Sequence, residues 1–213
     1  MYGEPQYLPY DELHPTNPVN PYGRNKLMEE EIINDWVSAN KLNNGTMLRY
    51  FNPVGAHASG QIGEEPDGVP NNLMPFIAQV AVGRQKYLSI YGNDYETIDG
   101  TGARDYIHVV DLAVAHVKAL SNRQNLKKFE VINIGRGEGV TVLELIKHFE
   151  RASNTIIKFE IVGRRKGDLA EFWADSILAS ELIDWIPKLS VEAMCRDTWN
   201  WQKNNPNGYT KTI

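Results

Sequence analysis

The 213-residue chain is 42% hydrophobic and 10% aromatic, enough to bury the core of one ordinary domain plus a small appendage. That composition excludes intrinsic disorder, a collagen-like repeat and a disulfide scaffold. Twenty-two Lys and Arg against 27 Asp and Glu give a formal charge of −5, which argues against nonspecific nucleic-acid binding. The single cysteine, Cys195, cannot close an internal disulfide, and no apolar run approaches the roughly 18 residues of a membrane span. No signal peptide precedes the first prolines, so a cytoplasmic protein is expected.

In chain order, Pro5, Pro9, Pro15, Pro18 and Pro21 predict an extended, turning segment, because each fixes its own φ and biases its predecessor away from helix. Asn20 as cap and Pro21 in the first turn then open a helix. Leu27, Met28, Ile32, Ile33 and Trp36 recur along it at near-helical spacing, and Asn43-Asn44-Gly45 is its expected stop. Residues 46–51 read as a buried strand, and 52–72 as a Gly/Pro/Asn-rich loop of a length that is usually functional. Further expectations are a helix over 73–83, strands at 88–91 and 104–108, and a helix over 110–120. A strand at 129–134, a helix opened by Thr141, a strand at 156–162 and a tryptophan-rich helix over 190–203 complete the chain. Strands alternating with helices predict an α/β class.

Gly135-Arg136-Gly137-Glu138-Gly139 follows a strand and precedes a helix, which invites a dinucleotide-binding reading. The fingerprint needs a sixth-position glycine for close helix packing, and Val140 stands there. Thr141 and Glu144 have capping-box spacing, so a structural turn is the better reading. The five histidines are scattered and Cys195 is alone, so no metal site is expected. His57, His108 and His116 read as core or loop residues.

Tyr22 and Lys26, four apart at a helix start, share one face. An ammonium and the positive helix end would both favour the phenolate, making Tyr22 a plausible proton acceptor. The spacing alone is common on exposed helices. Five longer motifs in order change that: residues 20–26 (NPYGRNK), 48–57 (LRYFNPVGAH), 68–75 (GVPNNLMP), 99–108 (DGTGARDYIH) and 163–169 (GRRKGDL). Together they resemble the UDP-glucose 4-epimerases, a family of the extended short-chain dehydrogenases/reductases. The resemblance runs from Tyr2 to Tyr209.

The resemblance implies the later part of a Rossmann-type parallel sheet plus a smaller mixed α/β substrate-binding domain. Residues 1–52 would belong to the NAD-binding part, with about 100–135 returning to it, and 53–213 mainly to the UDP-sugar domain. It implies interconversion of UDP-glucose and UDP-galactose with NAD as cofactor, and a homodimer. Tyr22 would be the acid/base at the sugar 4-hydroxyl. Lys26 would bind the nicotinamide ribose, and Phe51 would lie against the nicotinamide. Asn52, Asn72, Leu73, Ser89, Ile90, Tyr91, Arg104, Arg165 and Asp168 would hold the nucleotide sugar. Asn72 has a competing reading as the cap of the following helix. Phe172 would line the sugar pocket near the 2-substituent and disfavour N-acetylhexosamines. The chain departs from the family pattern in two ways: it has neither the G-x-x-G-x-x-G loop nor the serine upstream of Tyr2. That leaves open a related nucleotide-sugar epimerase or dehydratase, or a non-catalytic nucleotide-sugar-binding protein on the same scaffold.

Overall fold

A computed structural model describes residues 1–209. The proline-rich segment is irregular, as its prolines require, yet it is firmly packed. Tyr2, Tyr10 and His14 are buried in it, with Tyr2 stacked on Tyr10. Tyr10 also exchanges backbone hydrogen bonds with Trp173 and Asp175 across a parallel bridge.

Helix α1 (Pro21–Ala39) starts where expected: Asn20 Oδ1 accepts the Gly23 N–H at 2.7 Å. It ends at Asn40, one turn before the expected Asn-Asn-Gly stop. Its buried seam is narrow, formed by Gly23, Glu30 and Val37 seven residues apart. The apolar positions Met28, Ile32 and Trp36 are exposed rather than buried. A buried fork explains the choice of seam: Arg49 pairs bidentately with Glu30 at 2.7 and 2.8 Å. Arg49 also donates to the Tyr2 hydroxyl, which donates to Asn133.

Among the described residues, strand β1 (Gly45–Tyr50) pairs in parallel with β6 (Phe129–Ile134) and with no other strand. It is therefore half-buried, not buried as its apolar run predicted. The expected 52–72 loop begins with a short strand β2 (Asn52–Val54), parallel to β5 (Tyr106–His108). Helix α2 (Leu73–Ala81) and strand β3 (Leu88–Tyr91) lie where predicted. The expected strand at 104–108 is two strands, β4 (Ala103–Arg104) and β5, interrupted at Asp105. Helix α3 (Val109–Ser121) is capped by the His108 ring, whose Nδ1 accepts the Val110 N–H. A 3-10 turn at Arg123–Asn125 precedes β6.

Strand β7 (Val140–Thr141) leads into α4 (Val142–Ser153) through a complete Thr141/Glu144 capping box. Strand β8 (Phe159–Val162) starts later than predicted, because Ile157 is already buried in the core. It pairs in parallel with β3. Strand β9 (Glu171–Phe172) joins β4 and β7 in a mixed three-stranded sheet, followed by α5 (Ile177–Ile183) and α6 (Val191–Asn204). Two cores result. One gathers Ile107, Leu112, Ile132, Ile134, Ala179 and Trp185; the other gathers Val54, Ile77, Leu145, Phe149, Ile157 and Met194.

The Gly135–Gly139 segment is a structural turn. The Asp105 carboxylate accepts the N–H groups of Arg136 at 2.8 Å, Gly137 at 3.0 Å and Ala174 at 3.1 Å. Amides that would cradle a phosphate are thus already satisfied within the chain. Gly137 takes a positive φ of 80°. Gly135 is pressed so close that a Cβ would meet Asp105 Oδ2 at 2.5 Å and the Ala174 methyl at 2.7 Å.

Candidate active site

A cavity of about 340 Å³ opens between β2, β3 and β4, the start of α2 and the 165–168 turn. This volume is in the range of small-ligand sites. Nine of the thirteen expected site residues line it: Asn52, Asn72, Leu73, Ser89, Ile90, Tyr91, Arg104, Arg165 and Asp168. Site residues up to 116 positions apart, Asn52 and Asp168, are brought to one place because β2, β3 and β4 all border the cavity.

Charge is arranged unevenly around this cavity. Arg165 is bonded to Asp168 through Nε at 3.0 Å and lies over the Tyr91 ring at 4.5 Å. Arg104 has no carboxylate partner among the described residues. Its Nη1 donates to the carbonyls of Ala103 at 2.8 Å and Ala170 at 3.4 Å, and its guanidinium rests on the Phe172 ring at 4.7 Å. Burial lowers the Arg104 pKa, with partial compensation from Tyr106 and Asp168. A desolvated cation without a counter-ion is costly to keep, and its place in a cavity marks it as an anion receptor.

The other walls add polar groups of known direction. Asn72 does not cap α2; its side chain donates to Glu64 at 3.1 Å instead, so the α2 start faces the cavity with Asn71 and Leu73. Such a helix start is complementary to negative charge. Asn52 Oδ1 is buried without a hydrogen-bond partner among the described residues and requires a donor. Among the described residues, strand β3 pairs on one edge only. Ile90 packs in the core beneath the cavity and also lines it. Tyr106, on the cavity wall, has its phenol pushed up to about 12 by burial and stays protonated near neutral pH.

The remaining four expected residues are not in the lining. Phe51 and Phe172 are half-buried and pack together at 6.0 Å with Tyr10, behind Arg104. Tyr22 and Lys26 share a face of α1, with the ammonium 5.7 Å from the Tyr22 ring centre. Tyr22 is 70% exposed, and Lys26 is bonded to Glu29, which raises its pKa. The sequence reading missed Tyr95, Tyr106 and Gly102, which also line the cavity. Tyr106 stands two residues from Arg104, a spacing that could have flagged it; Tyr95 sits in a turn without periodic signal.

Residues 1–198 match the GDP-mannose 4,6 dehydratase family. The chain belongs to this family. Within it, the chain is similar to UDP-glucose 4-epimerases: 51% identical over 210 residues to that of Homo sapiens, covering 98% of this chain and 60% of the relative. The Haemophilus influenzae enzyme is 50% identical over 210 residues, with 98% and 62% covered. A UDP-glucose 4-epimerase from Bifidobacterium longum, solved in complex with NAD+ and UDP, superposes with a TM-score of 0.93 at 46% identity. It is matched over 98% of this chain and 62% of its own. The resemblance carried by the five motifs is therefore borne out, as is the α/β reading with parallel strands. The chain spans about 60% of the length of the curated relatives it matches.

Proposed function

We propose that this chain carries the UDP-sugar site and the Tyr22/Lys26 pair of a UDP-glucose 4-epimerase, interconverting UDP-glucose and UDP-galactose. The observation that carries the reading is Arg104, without a carboxylate partner among the described residues, on the wall of a cavity of about 340 Å³ lined by nine of the nucleotide-sugar positions. Arg104, the α2 start and Arg165 would bind the diphosphate. The free edge of β3 would read the uracil through backbone groups, with Tyr91 beside it and Asp168 on the ribose. Asn52 and Asn72 would hold the nucleotide sugar through hydrogen bonds of their side-chain amides.

NAD is the cofactor this reading requires, and bound at the Tyr22 face it would supply reversible hydride acceptance at sugar C4. The residues fit one end of it only. Tyr22, Lys26 and Phe51 suit the nicotinamide riboside, while the glycine turn at 135–139 has its amides bound to Asp105 and offers the phosphates no cradle. Tyr22 would take and return the proton of the 4-hydroxyl, and the Lys26 ammonium would stabilise the phenolate that takes part in that exchange. The two cores support a division in which residues 1–52 and about 100–135 form the NAD-binding part and 53–213 mainly the substrate part, with α5 joining the first core. A homodimer and a cytoplasmic location belong to the same proposal.

Two measurements test it. Calorimetric titration of the chain with UDP should show saturable one-to-one binding, and no heat at millimolar UDP would overturn the reading. In an active epimerase containing this sequence, Tyr22→Phe should abolish most turnover and leave UDP-sugar affinity nearly intact, since Phe keeps the ring and removes the proton acceptor. Near wild-type turnover would remove Tyr22 from the chemistry.

A further inference from the structure

Tyr10 belongs to none of the motifs that carry the functional reading. It stands in the proline-rich segment, is only 2% exposed, and is fixed through both its side chain and its backbone. Its hydroxyl donates to the Gly3 carbonyl at 2.6 Å, and its backbone N–H donates to the Trp173 carbonyl at 2.9 Å. Its own carbonyl accepts the Asp175 N–H at 2.6 Å and the Asn133 side-chain amide at 3.0 Å. The ring stacks on Tyr2 at 4.7 Å and meets the His14 ring edge-on at 4.6 Å. It also packs against Phe172 at 6.4 Å and Phe51 at 6.3 Å, within the range of paired aromatic rings.

Phe172 is in turn the surface on which Arg104 rests. The two are register partners in the β4–β9 ladder, and the guanidinium lies 4.7 Å from the Phe172 ring centre. Little else sets its plane: Arg104 Nη1 donates to the carbonyls of Ala103 and Ala170, and no carboxylate holds it among the described residues. A guanidinium stacked on one ring follows the tilt of that ring. Burial and the neighbouring Tyr2 push the Tyr10 phenol up to about 12, and the Arg104 charge offsets part of that rise, so cation and phenol lie within electrostatic reach of each other. We propose that Tyr10 is a positioning residue of the cavity: it backs Phe172, and through that ring it fixes the plane in which Arg104 presents its N–H groups to a phosphate of the ligand. The ligand class, a nucleoside diphosphate, rests on the function proposed above. Recognition by a planar fork is sensitive to tilt, because both N–H groups must meet oxygens together. Tyr10 itself stays outside the cavity lining, so it acts without touching the ligand.

The test compares Tyr10→Leu and Tyr10→Phe in the whole chain, each titrated with UDP, inorganic pyrophosphate and uridine beside the unsubstituted protein. Leu removes the ring from behind Phe172. UDP and pyrophosphate affinity should then fall about 2- to 12-fold, the worth of an aromatic pair, while uridine affinity holds. Phe keeps the ring and loses only the Gly3 bond, so it should lower the melting temperature and leave all three affinities unchanged. Phe172→Leu, which removes the stacked face and spares Tyr10, should reproduce the loss for UDP and pyrophosphate. Undiminished UDP affinity in Phe172→Leu would overturn the proposal even where Tyr10→Leu failed to fold, and undiminished affinity in a folded Tyr10→Leu would overturn it directly. In an Arg104→Gln background Tyr10→Leu should cost UDP nothing further; an added loss of the same size, or equal losses for UDP and uridine, would assign Tyr10 a general structural role instead. If pyrophosphate bound in a Tyr10-dependent way and UDP did not bind, the positioning role would stand and the nucleotide reading would fall; binding of neither to the unsubstituted protein would end both.

Discussion

Replacing Asp105 by Ala isolates a single carboxylate that holds three chain segments together. Asp105 is fully buried, and its oxygens accept three backbone N–H groups from Arg136, Gly137 and Ala174 at 2.8–3.1 Å. Removing the acceptor orphans all three donors, and each buried, unsatisfied donor costs about 1–3 kcal/mol. One effect opposes this. Burial raises the Asp105 pKa despite the bonds from Arg136, Ala174 and Gly137, so the charge itself is costly where it sits, and Ala relieves that cost. The donors outnumber the charge, and the net loss should be about 3 kcal/mol, a large share of the about 5–15 kcal/mol that stabilises a domain. For a chain of this size that is a fall in melting temperature of about 6–12 °C. Thermal unfolding followed by far-ultraviolet circular dichroism reads it directly, and Asp105→Asn, which retains one acceptor oxygen, should fall between the two. A drop of under about 2 °C for Asp105→Ala would refute the satisfaction argument and reopen the glycine turn as a ligand loop.

Acid should weaken the fold through His108. Burial, outweighing its 3.3 Å contact with Asp197, lowers the His108 pKa, so the folded state stays neutral while the unfolded chain gains a proton below about pH 6.5. The stability present above pH 6.5 is thus lost on acidification; His108→Gln should flatten the dependence of urea midpoint between pH 7.5 and 5.5, and an unchanged slope would reject the cause. In an active epimerase carrying this sequence, Phe172→Cys should admit UDP-N-acetylglucosamine, since a smaller side chain beside Arg104 and Phe51 relieves an overpacking of about 1–3 kcal/mol, or roughly 5- to 150-fold in specificity constant. Equal specificity constants for both sugar pairs before substitution would take the gate away from Phe172.

Local chemistry made much of the fold readable in advance. The Asn20 cap and the Thr141/Glu144 box both hold their expected helix starts, because each is decided within four residues. Burial was less readable. Met28, Ile32 and Trp36 have the periodicity of a core face, but the seam of α1 is set by the Glu30–Arg49 fork, a partner 19 residues away. Strands β7 and β9, each two residues long, carry no periodic signal, and Asp105 splits a predicted strand because its carboxylate is needed elsewhere. The site was legible where family motifs carry side chains into the cavity, as with Arg104 and Asn52. Tyr95, which also lines the cavity, escaped because it sits in a turn outside those motifs and carries no periodic signal.

The three bonds of Asp105 span 31, 32 and 69 residues of chain. Each bond joins segments far apart in the chain, so it should close after the local helices, among the later steps of assembly. Interactions absent from the folding transition state govern how slowly a protein comes apart rather than how fast it forms. The carboxylate at position 105 is in that sense a latch: its loss should speed unfolding by nearly the whole free-energy change and leave the folding rate almost untouched. The strand carrying Arg104 into the cavity adjoins it directly, so the lifetime of the folded site is set one residue away from the charge that defines it.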